Sequence, residues 1–503
     1  MNRPLACLFV ALALTSAAAA KDLVGVYEDA LQSDPQIRQA DANRLASREA
    51  RPQAWAALLP QISGDLSRSQ DREDGSQGNT DPVTGAPAPG SQSVGVTTTS
   101  KSWSLNLREN LFSWSNWMAV KQADIQVVQA EATYQAAQQN LILRVAQAYF
   151  NVLSALDGLE ANQASLEAIS RQLDQAEKRF EVGLIAITDV QEARAARDTA
   201  AAAVIAAKRT LATAGVQLSE ITGQTYDALN KPGDDMPLNT PQPASEDEWV
   251  TASLEQNVLL LSSRLAADIA RENVKIAFGG HLPTLDVIAS KSRTTTDKTL
   301  SLPDLGIPPF PQNTAVNDRQ YTLQLTVPLF SGGFTQSRVR QTQYLWIAAK
   351  EQVVQTSRAT ERQARDAYLG VISGIARVRA LRQALESSQT ALKATEAGYE
   401  VGTRTAVDVL TSRRLLVQAQ TDYAVSRYDY IVSVIQLRLA AGNLSRSDVT
   451  EVNKWLAVSA PTVPAHPIEA PAQPQVMEEP QAQPQQNPPQ QAPQPPTPTP
   501  PRR

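Results

Sequence analysis

The chain is poor in the residues that most chemistry needs. It has one cysteine, Cys7, and two histidines, and only 5% of its residues are aromatic. Cys7 lies inside an N-terminal apolar stretch expected to be removed, so the remaining chain has no thiol, which excludes disulfides and cysteine-based metal sites. A lipid-modified cysteine would have to stand at the cleavage site rather than at the start of the apolar stretch. His281 stands beside a helix stop and His466 in a proline-rich tail, neither in a metal-ligand or catalytic-triad spacing, so no enzyme, metal or cofactor site is expected. Positive charge is not in excess: the net charge is -5, and a nucleic-acid partner would need a basic face. Beyond the N-terminus no run of about 18 apolar residues occurs, so no helix is expected to span a bilayer.

What is present is helix-forming sequence in quantity. Ala, Gln, Leu and Val dominate and 19% of residues are charged, a composition typical of long packed helices. The chain opens with Arg3, an apolar run from Leu5 to Leu14 and small residues Ala17 to Ala20, the pattern of a secretory signal over residues 1–20. At the other end, residues 461–503 interleave proline with glutamine and cannot build a core; a disordered or polyproline-like tail is expected.

The strongest signal is an internal repeat with a shift of about 219 residues. Phe180-Glu181-Val182-Gly183 returns as Tyr399-Glu400-Val401-Gly402, Asp189-Val190 as Asp408-Val409, Tyr149 as Tyr368 and Gly223 as Gly442. Each copy repeats one order of elements. A helix begins near Asp34-Pro35 or Gln256-Asn257 and stops at Leu59-Pro60 or Leu282-Pro283, with Pro52 a possible early break. Then come a strand, a polar stretch and a second strand. Alternation is clearest from Gln320 to Leu329, where Tyr321, Leu323, Leu325 and Val327 share one face, and Trp103, Leu105 and Leu107 repeat it. The polar stretches at about 70–100 and 292–319 read as exposed loops. Helix follows from about Asn116 to Val182 and Thr335 to Val401, roughly 67 residues or 100 Å each, and after a glycine break a helix of about 35 residues. The two shorter helices of a copy, end to end, nearly match the long one. Ala193, Ala195, Ala196, Ala200 to Ala203, Ala206 and Ala207 are expected where columns approach closely. The division is 21–223 for the first copy, 224–244 between copies, 245–442 for the second and 443–460 before the tail.

Two copies supply four amphipathic strands. Four strands cannot close a barrel, and an open edge in lipid leaves backbone groups unpaired, so the chain must oligomerise. Three copies would give twelve strands and twelve helix columns, a tunnel with a bore of very roughly 28 Å.

The segment Ala397-Gly398-Tyr399-Glu400-Val401-Gly402-Thr403-Arg404-Thr405-Ala406-Val407-Asp408-Val409-Leu410, with Phe180 to Val190 as its first-copy partner, resembles the helix tips of the TolC family of outer-membrane efflux proteins. The resemblance runs over roughly Leu23 to Leu456. It implies an α+β membrane protein: a homotrimer with a 12-stranded β-barrel in outer-membrane lipid, continued by a long periplasmic α-helical barrel. It also implies an equatorial girdle from Asn230 to Ala244 and Asn443 to Leu456. The implied work is to carry substrates from an inner-membrane transporter (RND, ABC or MFS) through a periplasmic adaptor and across the outer membrane, in multidrug efflux, type I protein secretion or both.

Two sets of tip residues follow from the resemblance. Val182, Gly183 and Leu184, with Val401, Gly402 and Thr403, would form the surface grasped by an adaptor; a turn back from a long helix accounts for both glycines on structural grounds alone. Tyr399 and Arg404 would bond across the tips to Thr188 and Asp189 and hold the entrance shut, with Asp408 forming an acidic ring. Helix capping offers a second account: Thr188, Asp189 and Asp408 each open a helix, and Asp189 with Glu192 has capping-box spacing. Thr411 stands where the family's best-known member has a second aspartate, so three rather than six carboxylates would line the ring. Two other classes compete. A periplasmic adaptor would show one hairpin with lipoyl-like segments rather than two copies with amphipathic strands, and a secreted coiled-coil protein would need unbroken apolar heptads.

Overall fold

A computed structural model describes residues 20–80, 87–233, 236–302 and 307–462. The expected signal up to residue 19 and the expected tail from residue 463 lie outside the described residues, whereas Pro461, expected to begin the tail, ends a strand paired with Ala228. The order of elements is α1 (Leu23–Ser33), α2 (Pro35–Arg48), α3 (Ala50–Ala56), β1 (Gln61–Thr80), β2 (Pro87–Phe112), α4 (Trp114–Glu181), α5 (Ile187–Thr222) and β3 (Ala228–Pro232). The second half runs α6 (Glu246–Gln256), α7 (Val258–Phe278), β4 (Thr284–Leu302), β5 (Ile307–Thr326), α8 (Phe334–Glu400), α9 (Ala406–Ala441), α10 (Arg446–Asn453) and β6 (Leu456–Pro461).

The helices start and stop for local reasons. Asp34 caps α2 by accepting from the Ile37 amide at 3.2 Å, ahead of Pro35, while Asn257 caps α7 from the amides of Leu259 and Leu260. The first column breaks at Glu49, three residues before Pro52, whose missing amide cannot complete the turn. α4 and α8 run 68 and 67 residues, each about 100 Å. The shorter helices do stack end to end beside them. Gly223, closing α5, lies against Ser33 before α2, and Gly442, closing α9, lies against Gln256 and Asn257 before α7. Gly442 has φ 80°, and a Cβ there would sit 2.5 Å from the Asn257 Cα, so the junction admits no side chain.

The core is concentrated at mid-height, where the two copies meet. Tyr149, Phe150, Leu153 and Leu156 of α4 pack with Tyr428, Tyr430, Ile431 and Ile435 of α9. The Tyr149 and Phe150 rings meet edge to face, and Phe150 stacks on Tyr428. The buried phenols find acceptors: Tyr149 donates to the Asn230 carbonyl and Tyr428 to the Asp157 carboxylate, both at 2.6 Å. Burial pushes both phenols far above their ordinary pKa. β3 and β6 pair antiparallel in this zone.

The other sheet has the antiparallel order β1-β2-β4-β5. Here the expectation of loops is corrected: most of 70–100 and 292–319 is strand, in ladders that pair Gln70 with Thr99 and Thr294 with Val316. Serine, threonine and glycine on these hairpins mimic loop composition, and Pro308, Pro309 and Pro311 hide the far end of β5. The sheet has two unlike faces. One carries Ile62, Leu66, Trp103, Leu105, Tyr321, Leu323 and Leu325, all exposed. The other carries Ser63, Asp65, Ser67, Ser102, Ser104, Asn106, Ser290 and Ser292.

Candidate functional site

The helix tips at the end remote from this sheet hold every candidate residue. After α4, Gly183 takes φ 77° and its amide returns to the Phe180 carbonyl at 2.9 Å; after α8, Gly402 takes φ 77° and its amide returns to Tyr399 at 3.1 Å. Both are left-handed helix ends of the kind glycine tolerates best. They hold up three apolar side chains with no cover in the protomer: Val182, Leu184 and Val401 are 69%, 74% and 76% exposed.

The capping reading is corrected in part. α5 is capped by Ala186, without a side-chain bond, so Asp189 lies in the first turn and forms no capping box with Glu192. Thr188 is exposed beside it. At the second tip the cap is Thr405, and Asp408 is its reciprocal partner. The Thr405 hydroxyl accepts from the Asp408 amide at 3.2 Å, while the Asp408 carboxylate accepts from the Thr405 amide at 2.9 Å. That backbone bond, the Thr405 hydroxyl and the charge of Arg404 hold the Asp408 carboxyl below the usual carboxylate range. Thr411 is exposed one turn further along α9.

Within the protomer, Tyr399 and Arg404 do not reach Thr188 or Asp189 by any hydrogen bond among the described residues. Arg404 folds back over Gly398, where an added Cβ would lie 2.8 Å from its Cγ. The Tyr399 ring lies under Arg179, in the last turn of α4, with the guanidinium carbon 5.5 Å from the ring centre. This contact links the first hairpin to the second.

Each hairpin also carries an ion pair across its own two helices. Arg194 of α5 donates to Glu177 of α4 at 2.9 Å, and Arg413 of α9 donates to Glu396 of α8. The two pairs occupy equivalent positions in the two copies. Neither they nor Arg179 stand out in the sequence, because Glu177 and Arg194 are 17 residues apart and meet only when the chain turns back; the repeat register is the signal that finds them. Of the alanines expected at close approaches, Ala193 is buried, whereas Ala195, Ala202 and Ala206 are exposed in the protomer.

Comparison with known proteins covers nearly the whole chain. The model of the family described as "Outer membrane efflux protein" matches residues 26–224 and 249–443, one stretch in each copy. The chain is 36% identical to the outer membrane protein TolC of Vibrio cholerae over 460 residues, 90% of this chain and 98% of the relative. It is 28% identical to the alkaline protease secretion protein AprF of Pseudomonas aeruginosa, over 89% of this chain and 90% of that one. Among solved structures, CusC superposes with a TM-score of 0.67 at 19% identity, covering 84% of this chain and 92% of the other.

Proposed function

The chain belongs to the outer membrane efflux protein family and is an outer-membrane efflux or secretion channel whose helical barrel lies in the periplasm; we propose that it works as a homotrimer gated at its helix tips. Three sheets join edge to edge in one 12-stranded barrel, and the helices of three copies enclose the duct beneath it. The observation that carries this is the sheet itself: β1 and β5 are both edge strands of a four-stranded sheet with an apolar face. Free edges in lipid leave backbone donors and acceptors without partners, and only closure removes them. The apolar face then meets lipid and the serine-rich face lines the pore. Exposed Trp55, Trp114 and Trp117 at the junction of sheet and helices fit the membrane interface, where such rings are half apolar and half wet.

The tips take two roles in this reading. Val182, Gly183 and Leu184, with Val401, Gly402 and Thr403, receive the hairpins of a periplasmic adaptor that couples the duct to an inner-membrane transporter of the RND, ABC or MFS type. Tyr399 and Arg404 of one hairpin latch to Thr188 and Asp189 of a neighbouring protomer, and three Asp408 carboxylates ring the entrance. Support for latching between protomers comes from the free exposure of Arg404 and Thr188. The cargo is small molecules in multidrug efflux or a polypeptide in type I secretion: the family description names efflux, and one relative is named for alkaline protease secretion. The test is direct: the detergent-purified protein should sediment as a trimer and open ion-conducting pores in planar bilayers, and a monodisperse monomer without conductance would end the proposal.

A further inference from the structure

The outward face of the sheet changes character at one level. From the helix end, its residues are apolar or glycine through Leu66 on β1, Ala289 on β4 and Tyr321 on β5, and on β2 Leu107, Leu105 and Trp103 follow a single acidic residue, Glu109, beside Val287. The next positions outward on that face are Arg68, Lys101, Lys291 with Arg293, and Arg319, so every strand contributes at least one cation. All five are exposed. They stand seven to nine residues beyond the inner strand ends on β1, β4 and β5, roughly 23–30 Å of strand or about 16–25 Å of height at a barrel-strand tilt of about 35–45°, which puts them in the outer part of an apolar band about 25 Å tall.

Sheet stability does not account for this row. Arg68 is the register partner of Lys101, and Lys291 that of Arg319, so two like-charge pairs face each other directly across strands, an arrangement that weakens a sheet. Lys101 has Asp297 at 3.7 Å; Arg68, Lys291, Arg293 and Arg319 have no ion pair among the described residues. Lys291 leans over the Trp103 ring, 5.9 Å from its centre, and Arg68, Lys101, Arg293, Trp103 and Leu66 line a shallow hollow. A hollow lined by both basic and apolar side chains, next to the apolar band, matches a ligand with phosphate at one end and acyl chains at the other.

We propose that this belt binds the phosphorylated headgroups of glycolipid in the outer leaflet, arginine forks and lysine ammoniums meeting phosphate while the acyl chains lie on Leu66 and Trp103. The proposal rests on the barrel reading above, with the hairpin ends facing outward. Near a charged membrane surface each cation changes binding by about fivefold, so a row of five gives a large and salt-sensitive effect. The test uses purified full-length protein in neutral detergent and three probes: bisphosphorylated lipid A, the same lipid without phosphates, and inorganic phosphate. Wild type should bind the phosphorylated lipid at least tenfold more tightly than the dephosphorylated one, more weakly as salt rises, and without competition from millimolar inorganic phosphate. The variant combining Arg68→Gln, Lys101→Gln, Lys291→Gln, Arg293→Gln and Arg319→Gln should lose the preference while keeping its oligomeric state and its conductance in phosphatidylcholine bilayers. Equal binding of the two lipids by wild type overturns the proposal, whether or not the variant assembles, and competition by inorganic phosphate overturns the lipid as its source. A wild type that neither oligomerises nor conducts would instead remove the barrel reading beneath it.

Discussion

Arg194 of α5 grips Glu177 of α4 just behind the first tip, and the second copy repeats the grip with Arg413 and Glu396. Ser412 adds a hydroxyl bond to Thr395 beside the second pair, at 3.2 Å. Each hairpin is therefore tied within itself near its turn, whereas the described link between hairpins at the tips is Arg179 over Tyr399. If the tips form the gated entrance proposed above, these ties favour moving whole hairpins over fraying them.

The first prediction concerns those ties. Arg194 and Glu177 are about half exposed, so water screens the pair and its contribution falls at the low end of about 0.2–1 kcal/mol. Arg194→Ala should raise hydrogen exchange of the amides around 177–194 by about two- to threefold while leaving the melting temperature of the assembled protein within about a degree. Unchanged exchange at the tip would show that the pair holds nothing.

The repeat, the long helices and the tip glycines are legible in the sequence because each rests on local chemistry. Gly183 and Gly402 need a left-handed backbone, and Asp34 and Asn257 announce helix starts. The outer halves of the strands are not legible. Residues 70–80 and 292–302 draw their order from pairing across the sheet, and their serines, threonines and aspartates look like loop residues when read alone. Asp189 misleads for another reason: it has the spacing of a capping box, but the chain enters α5 three residues earlier, at Ala186, and the cap falls there. The five cations of the outer face are each unremarkable in sequence and form a row only once the register is known.

The second prediction addresses the latch. Tyr399→Phe keeps the ring under Arg179 and removes only the hydroxyl, and Arg404→Ser removes the guanidinium from the outer turn. If these groups hold Thr188 and Asp189 of a neighbour, each charge-assisted bond stabilises the closed entrance by on the order of 1.5 to 3 kcal/mol where partly buried. The double variant should conduct several-fold more in bilayers and admit large antibiotics to cells, with the trimer equally stable. Arg179→Gln should have a smaller effect of the same sign, since an exposed cation–π contact contributes about 0.5–1 kcal/mol. Wild-type conductance from an assembled double variant excludes the latch.

The third prediction is the pH dependence of Asp408. Its carboxyl is held below the ordinary range by the Thr405 amide, the Thr405 hydroxyl and Arg404. A lowered folded pKa contributes stability that is fully present above the ordinary carboxylate value and is lost as pH falls through the lowered one. The cap of α9 and the charge of the proposed ring should both persist from pH 7 to about 5 and fade only below about 4. Cation preference of the pore, measured by reversal potential, should be flat over the first range and fall in the second. Asp408→Asn should remove that acid transition, and an identical transition in the variant would assign it to other groups.

The last prediction tests closure of the barrel at its seams. If β1 of one protomer lies beside β5 of the next, residues on their lumenal faces come within the roughly 5.5 Å Cα separation that a disulfide requires. The single cysteine of the chain, Cys7, lies in the expected leader, so introduced cysteines report without background. Ser67→Cys on β1 can be combined in turn with cysteine at Val316, Asp318, Gln320, Thr322 or Gln324 on the same face of β5. Strand pairing has one register, because a slip of a single residue would turn the apolar face of β5 inward. One of these partners, with weaker neighbours two residues away, should therefore link all three protomers covalently under mild oxidation, seen as a reducible trimer band after full denaturation. Dimers as the largest product would mean that the sheets close in pairs or only one seam is ordered. No linkage at any partner in a protein that still sediments as a trimer would mean that the protomers meet through their helices alone, and the 12-stranded barrel would have to be abandoned.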